Sequence, residues 1–215
     1  MYSLGKMGKV TTKIDAKLSE NRKLCYFLIY KPYGMMSQFS RESDKPTLAD
    51  LNFTFPKDAY PVGRLDHDSE GLLLITNDKT LNNKLLNPKN HYQKTYWVQV
   101  DREITEEAIE KLCKGVVINV NGEYKTKPAI VRRIESPEIP DRIPPVRFRL
   151  NVPTSWIEIV LTEGKNRQVR KMTASVGFPT LRLIRTAIGM LKLSSMQPGE
   201  VLTLSTKEVS LLKHQ

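Results

Sequence analysis

Residues 63–71 read Gly63-Arg64-Leu65-Asp66-His67-Asp68-Ser69-Glu70-Gly71, three carboxylates and an imidazole between two glycines. The apolar run Leu72-Leu73-Leu74-Ile75-Thr76 follows at once. A loop that feeds a buried strand has a fixed backbone and exposed side chains, which suits catalysis. Three chemistries fit the residue types. Two of the carboxylates could work as a glycosidase pair. The cluster could hold a hard metal ion. A single aspartate could react while its neighbours shape the loop. The commonest fate of such a run is none of these but a solvated acidic turn, with Asp68 or Ser69 bonding local backbone amides.

Two other stretches carry chemistry-bearing residues. Residues 164–199 hold Lys165, Arg167, Arg170, Lys171, Arg182, Arg185 and Lys192 and no acid. On a helix Arg167 would neighbour both Arg170 and Lys171, and like charges so placed repel unless an anion compensates. Val169, Met172, Leu181, Leu183 and Ile184 interleave with these cations, so the segment is also core, as in a folded phosphate-binding surface. The third stretch is Lys94-Thr95-Tyr96-Trp97-Val98, where strand alternation puts Lys94, Tyr96 and Val98 on one face. A strand tyrosine most often simply packs in the core.

The whole-chain balance narrows the partners. Among 215 residues, 34 Lys and Arg stand against 23 Asp and Glu, a formal charge of +11. Such an excess favours a polyanion, because each neutralised phosphate releases counterions. Cys25 and Cys113 stand far apart, with no spacing that resembles a zinc site. No apolar stretch approaches the roughly 20 residues needed to cross a bilayer. No membrane partner is expected, and the cytoplasm is the expected compartment.

Elements able to position these groups can be read along the chain. Residues 1–22 read as a basic, flexible arm carrying Lys6, Lys9, Lys13, Lys17 and Arg22, and residues 23–215 as the folded domain. Strands are expected at 25–30, 72–76, 95–100, 116–119, 146–150, 157–162, 181–188 and 201–204. Asn121-Gly122 should close a hairpin after the fourth of these. Helices are expected near 79–86, 105–113 and 206–213, with a further one capped by Asn166 and ended by Gly177 and Pro179. Residues 135–155, rich in proline, should be loops around the 146–150 strand. The pattern is α+β, with a mixed, largely antiparallel sheet flanked by helices.

Five motifs in order resemble the RsuA-type family of pseudouridine synthases. They are Lys31-Pro32-Tyr33-Gly34; Gly63-Arg64-Leu65-Asp66 with Ser69-Glu70-Gly71-Leu72; Lys94-Thr95-Tyr96-Trp97-Val98; Glu163-Gly164-Lys165-Asn166-Arg167-Gln168-Val169-Arg170-Lys171-Met172; and Leu181-Arg182-Leu183-Ile184-Arg185 with Gly189. Pro144-Pro145 and Val152-Pro153-Thr154-Ser155-Trp156 resemble the branch of that family acting on large-subunit (23S) ribosomal RNA. The resemblance implies the pseudouridine synthase catalytic fold in two sub-domains, without the S4 domain many relatives carry. It implies conversion of a uridine to pseudouridine with no cofactor and no metal, by a monomer acting on ribosomal RNA, naked or in an assembling particle.

The resemblance also assigns residues. Asp66 would be the catalytic carboxylate, Arg170 its basic partner and Tyr96 the ring that stacks on the target base. Leu183 would contact the flipped base. Lys31, Arg64, Lys94, Arg167, Arg182 and Arg185 would support the site or bind RNA. His67 and Asp68 would be bystanders, and Ser69-Glu70-Gly71 would shape the loop. A flipped base costs a few kcal/mol to extrude, which phosphate contacts from the basic segment and the arm would offset.

Overall fold

A computed structural model describes residues 23–147, 149–150 and 152–213; the expected arm at 1–22 lies outside the described residues. In chain order the elements are β1 (Tyr26–Lys31), β2 (Tyr60–Pro61), β3 (Glu70–Thr76), α1 (Lys79–Leu86), β4 (Lys94–Asp101), α2 (Glu106–Lys114), β5 (Val117–Asn119), β6 (Glu123–Lys125), β7 (Ile130–Ile134), β8 (Thr154–Leu161), α3 (Gln168–Ser175), β9 (Thr180–Ile188), β10 (Leu191–Lys192), β11 (Val201–Thr203) and α4 (Thr206–Lys213). Among the described residues no helix is long and apolar enough to cross a membrane.

One sheet runs β11-β1-β3-β9-β4-β8-β7, with β2 beside β3 and β10 beside β9; β5 and β6 form a separate hairpin. Every pairing is antiparallel except β3 with β9, which is parallel and only two residue pairs long, Glu70 with Ile184 and Gly71 with Arg185. This short seam joins two well-paired halves.

Each half has its own core. Leu28, Leu72 and Leu74 pack under Leu81 and Leu85 of α1 and Val209 and Leu212 of α4. Phe27, Ile29, Leu73 and Ile75 face the other way, against Leu48, Leu51 and Met35. That two-sided cover explains why β3 is apolar at consecutive positions rather than alternating. In the other half, Val98, Val100, Ile157, Ile159 and Leu183 meet Ile109 and Leu112 of α2 and Val169 and Met172 of α3.

Charge is built into the seam. Arg182 donates Nε to Glu70 Oε1 at 2.9 Å and Nη2 to Oε2 at 2.8 Å, and both residues are buried. Arg182 Nη2 also reaches the Pro140 carbonyl at 2.8 Å. Arg185 Nε donates to the Leu72 carbonyl at 2.8 Å. Gly71 has a φ of +102°, and a Cβ there would collide with the Arg185 carbonyl. Glycine is required at that point because the two backbones touch.

Two expectations fail. No strand forms at 146–150 among the described residues; Leu150 is exposed and Arg149 pairs with Asp101 instead. The edge position beside β8 belongs to β7, where Val131 sits opposite Ile159. Pro144, Pro145 and Pro153 bracket 146–150 and deprive it of ladder donors. Asn166 does not cap α3. The cap position is Arg167, in the left-handed region at φ 51°, without a side-chain cap bond. Gln168 reaches back from the first turn and accepts from the Lys165 amide at 2.9 Å, which leaves Asn166 on the surface. Elsewhere the ends lie close to expectation: α2 covers Glu106–Lys114 where 105–113 was expected, with Thr105 as its cap and Gly115 after it, and Asn121-Gly122, both at positive φ, close the β5–β6 hairpin.

Removing one partner from the seam leaves the other charged, buried and unpaired. Arg182→Met should therefore cost about 3–5 kcal/mol of unfolding free energy in urea melts. Glu70→Leu added to Arg182→Met should recover most of that loss, because the isolated charge is then gone.

Candidate active site

The loop before β3 is pinned from several directions. Ser37 Oγ donates to the Leu65 carbonyl at 2.8 Å and accepts from the Leu65 amide at 3.1 Å. The Ser69 amide closes a turn on the Asp66 carbonyl at 3.0 Å, and the Gly34 amide donates to the His67 carbonyl at 2.7 Å. Ser37 lies 28 residues from Leu65, and no spacing signal in the sequence points to it. These bonds fix the Asp66 backbone and leave its carboxylate 31% exposed.

Asp66 opens on a cavity of about 460 Å³. Arg64 and Leu65 flank it on the loop, Lys94 and Tyr96 enter from β4, and Leu183 and Arg185 from β9. Residues 163–169 complete the lining, including Lys165 and Arg167. Tyr96 and Leu183 are buried side chains with a face on the cavity, so its floor is apolar while its rim is basic.

The cations arrange themselves around two aspartates. Arg167 donates Nη1 to Asp68 Oδ1 at 3.0 Å and Nη2 to Oδ2 at 2.8 Å. The same Nη1 stands 3.5 Å from Asp66 Oδ2. Arg170 Nη2 donates to the Asp68 carbonyl at 2.6 Å, and its Nε lies 3.5 Å from Asp68 Oδ2. Burial works against the charge of Asp68, but the Arg167 hydrogen bonds and the charges of Arg170 and Arg167 outweigh it and hold the carboxyl below its usual range. Burial also lowers the pKa of Arg170, with Asp68 opposing that effect.

The expected partner of Asp66 is thus one turn misplaced: the guanidinium in ion-pair contact with it is Arg167, and Arg170 braces the loop through Asp68. Asp68 is no bystander to the loop: both of its oxygens take the Arg167 guanidinium, a contact across 99 residues that no local spacing announces. Lys31 has no solvent exposure and donates Nζ to the Met35 carbonyl at 2.8 Å and the Pro32 carbonyl at 3.0 Å, so as placed it props the turn and does not meet RNA. Arg182 is likewise spent on Glu70 within the seam. Arg64, Lys94, Arg167, Leu183 and Arg185 do reach the cavity wall. Lys94 gives its Nζ to the Tyr92 carbonyl at 3.1 Å; burial, then the nearby Arg185, lowers its pKa.

Glu163 is the second carboxylate on the cavity wall, and it is fully engaged. It accepts from Tyr124 Oη at 2.6 Å, the Lys127 amide at 3.0 Å and Gln168 Nε2 at 2.5 Å. Burial alone would raise its pKa, but these donors outweigh it and hold the carboxyl below its usual range. The arrangement offers one accessible carboxylate, an aromatic and aliphatic floor and a cationic rim.

Comparisons with known proteins agree with that arrangement. A family model described as RNA pseudouridylate synthase matches residues 25–175. The ribosomal large subunit pseudouridine synthase E of Xanthomonas campestris pv. campestris is 51% identical over 174 residues, 80% of this chain and 91% of that relative. The protein of the same name in Vibrio parahaemolyticus is 50% identical over 181 residues, 84% of this chain and 73% of its own. A crystal structure of a pseudouridylate synthase superposes with a TM-score of 0.71 at 28% identity, covering 88% of this chain and 74% of that one.

Lys31 supplies a pH test of the loop support. Burial pulls its pKa from 10.5 to about 7, against the attraction of Glu70, Asp68 and Asp66. Between those values the unfolded chain binds a proton that the folded chain releases, so this group makes stability rise with pH across that window. The unfolding free energy of the native protein should gain on that of Lys31→Met by about 1 kcal/mol per unit from pH 7 to 10 in urea melts. A constant difference would place the ammonium in water.

Proposed function

The chain belongs to the RNA pseudouridylate synthase family, and from that premise we propose that it acts on a uridine of large-subunit ribosomal RNA, with Asp66 as the reacting carboxylate. The ribosomal target is supported by the relatives that share about half of this chain's residues and carry that activity in their names. The chemistry of the family is an isomerisation. The bond from uracil N1 to C1′ breaks, the ring turns, and C5 bonds to C1′ while its proton leaves. Nothing is oxidised or reduced, and every heavy atom of the substrate is retained.

The observation that carries the assignment is the placement of Asp66. It is an accessible carboxylate on a loop pinned by Ser37, Gly34 and Ser69, facing the cavity that Tyr96 and Leu183 floor. An ionised carboxylate there can attack C1′ or take the C2′ proton, and both routes need an unprotonated oxygen turned to the ribose. Tyr96 stacks on the extruded uracil and Leu183 packs its other side. Lys94, Arg64, Arg167 and Arg185 face the polyanion and the polar edges of the base. Arg170 serves Asp66 by holding the Asp68 segment in place. The target base must leave its stack to enter so small a cavity, and the basic rim offsets part of that cost.

The reading extends to the chain as a whole. It works in the cytoplasm as a monomer on ribosomal RNA, naked or in an assembling particle, and the basic arm at 1–22 adds phosphate contacts.

Asp66→Asn should abolish pseudouridine formation on a large-subunit rRNA transcript carrying tritium at uridine C5, read as tritium release, with thermal melting and RNA retention near native. A substantially active Asp66→Asn protein would overturn the assignment. Arg170→Ala should slow turnover on the order of 100-fold, the scale of a ~1 Å misplacement of the reacting group. Addition of EDTA should leave the native rate unchanged.

A further inference from the structure

Asp68 occupies an unusual position for a residue two places from a reacting carboxylate. Both of its oxygens accept from one guanidinium, at 3.0 and 2.8 Å. That guanidinium, Arg167, touches Asp66 only at 3.5 Å. One cation thus faces two carboxylates and is hydrogen-bonded to one of them. Arg170 makes the same choice, spending Nη2 on the Asp68 carbonyl at 2.6 Å. Arginine forks close on carboxylates through two parallel bonds wherever geometry permits, and such pairs are among the strongest polar contacts. Without Asp68, the nearest anion for the Arg167 fork is Asp66.

We infer that Asp68 is a positioning residue that holds the Arg167 fork away from Asp66, so that the reacting carboxylate keeps an oxygen free for the ribose. The inference rests on the reading of Asp66 as the reacting group. Arg167 at 3.5 Å lays the field of its positive charge on Asp66. A bidentate contact would add to that field but would occupy both oxygens. Asp68 therefore sets a distance: near enough for the charge to act, too far for the hydrogen bonds to form. The backbone fits this division. Arg167 stands in the left-handed region at the start of α3, which is where its side chain must leave to reach across to the loop.

Among the described residues only Arg167 is in ion-pair contact with Asp66. Closure of its fork would leave the carboxylate no free oxygen, so kcat would fall while substrate binding held.

The test is a set of kcat and KM measurements by tritium release from the same labelled rRNA transcript. Asp68→Asn should lower kcat ~10- to 100-fold, as small misplacements at a reacting centre do, with KM nearly unchanged. Adding Arg167→Gln to Asp68→Asn should recover much of that kcat, because the stray fork is removed. Adding Arg167→Lys instead should also recover part of it, since an ammonium cannot close a fork on Asp66. A native-like kcat in Asp68→Asn, or double variants no better than Asp68→Asn, would overturn the inference. Native-like activity of Asp66→Asn would instead overturn the reading beneath it, and the two failures are separable in one assay.

Discussion

The structure depends on a contact only two residue pairs long. The parallel β3–β9 seam is where one half of the sheet meets the other, and it begins at Glu70, where the loop that carries Asp66 ends. So short a ladder supplies few backbone hydrogen bonds. Its other supports are the Glu70–Arg182 fork, the Arg185 bond to the Leu72 carbonyl and the absence of a side chain at Gly71. A buried ion pair is not a strong source of stability against an apolar substitute of the same shape. What it adds here is register. Sliding β3 by one residue against β9 would strand both charges in the interior. The register in turn sets where Asp66 stands relative to Leu183 and Arg185, because the loop and β9 share that seam.

The site repeats this logic at its surface. Asp66 stands between an apolar floor and a cationic rim, with Arg167 beside it but not hydrogen-bonded to it. The loop carries a second aspartate that takes the Arg167 fork. Ser37, Gly34 and Ser69 fix the backbone, Asp68 directs the arginines, and Lys31 ties the neighbouring turn from beneath. Rigidity matters more than affinity in such a site, since a reacting group held within a fraction of an ångström is worth orders of magnitude in rate.

Much of this was legible in the residues. The α+β class, the helix ends at Thr105 and Gly115, the Asn121-Gly122 hairpin and the identity of the loop all followed from local pattern, because local hydrogen bonds and backbone geometry determine them. What escaped was non-local. Ser37 is invisible from Leu65 in one dimension. The edge strand β7 carries a weak signal, with one buried residue in five, while the 146–150 segment alternates well but is bracketed by prolines. The choice between them was made by which segment β8 could pair with, a tertiary fact that overrides propensity. The arginine partner was misassigned for a related reason. Helical spacing places Arg167 and Arg170 on one face but does not say which of two aspartates each will meet.

The basic stretch at 164–199 shows how far charge alone can carry a functional argument. Its cations divide by direction. Arg182 turns inward to Glu70, Arg185 to the Leu72 carbonyl and Arg170 to the loop backbone, while Lys165, Lys171 and Lys192 remain at the surface. Arg182 and Arg170 are therefore held within the fold, Arg167 is committed to Asp68 and Arg185 still lines the cavity, so a count of positive residues overstates that face. The chain as a whole still carries a formal charge of +11. Arg64 on the loop and Lys165 before α3 also line the cavity, so the cations open to a polyanion come from several elements and not from the basic stretch alone.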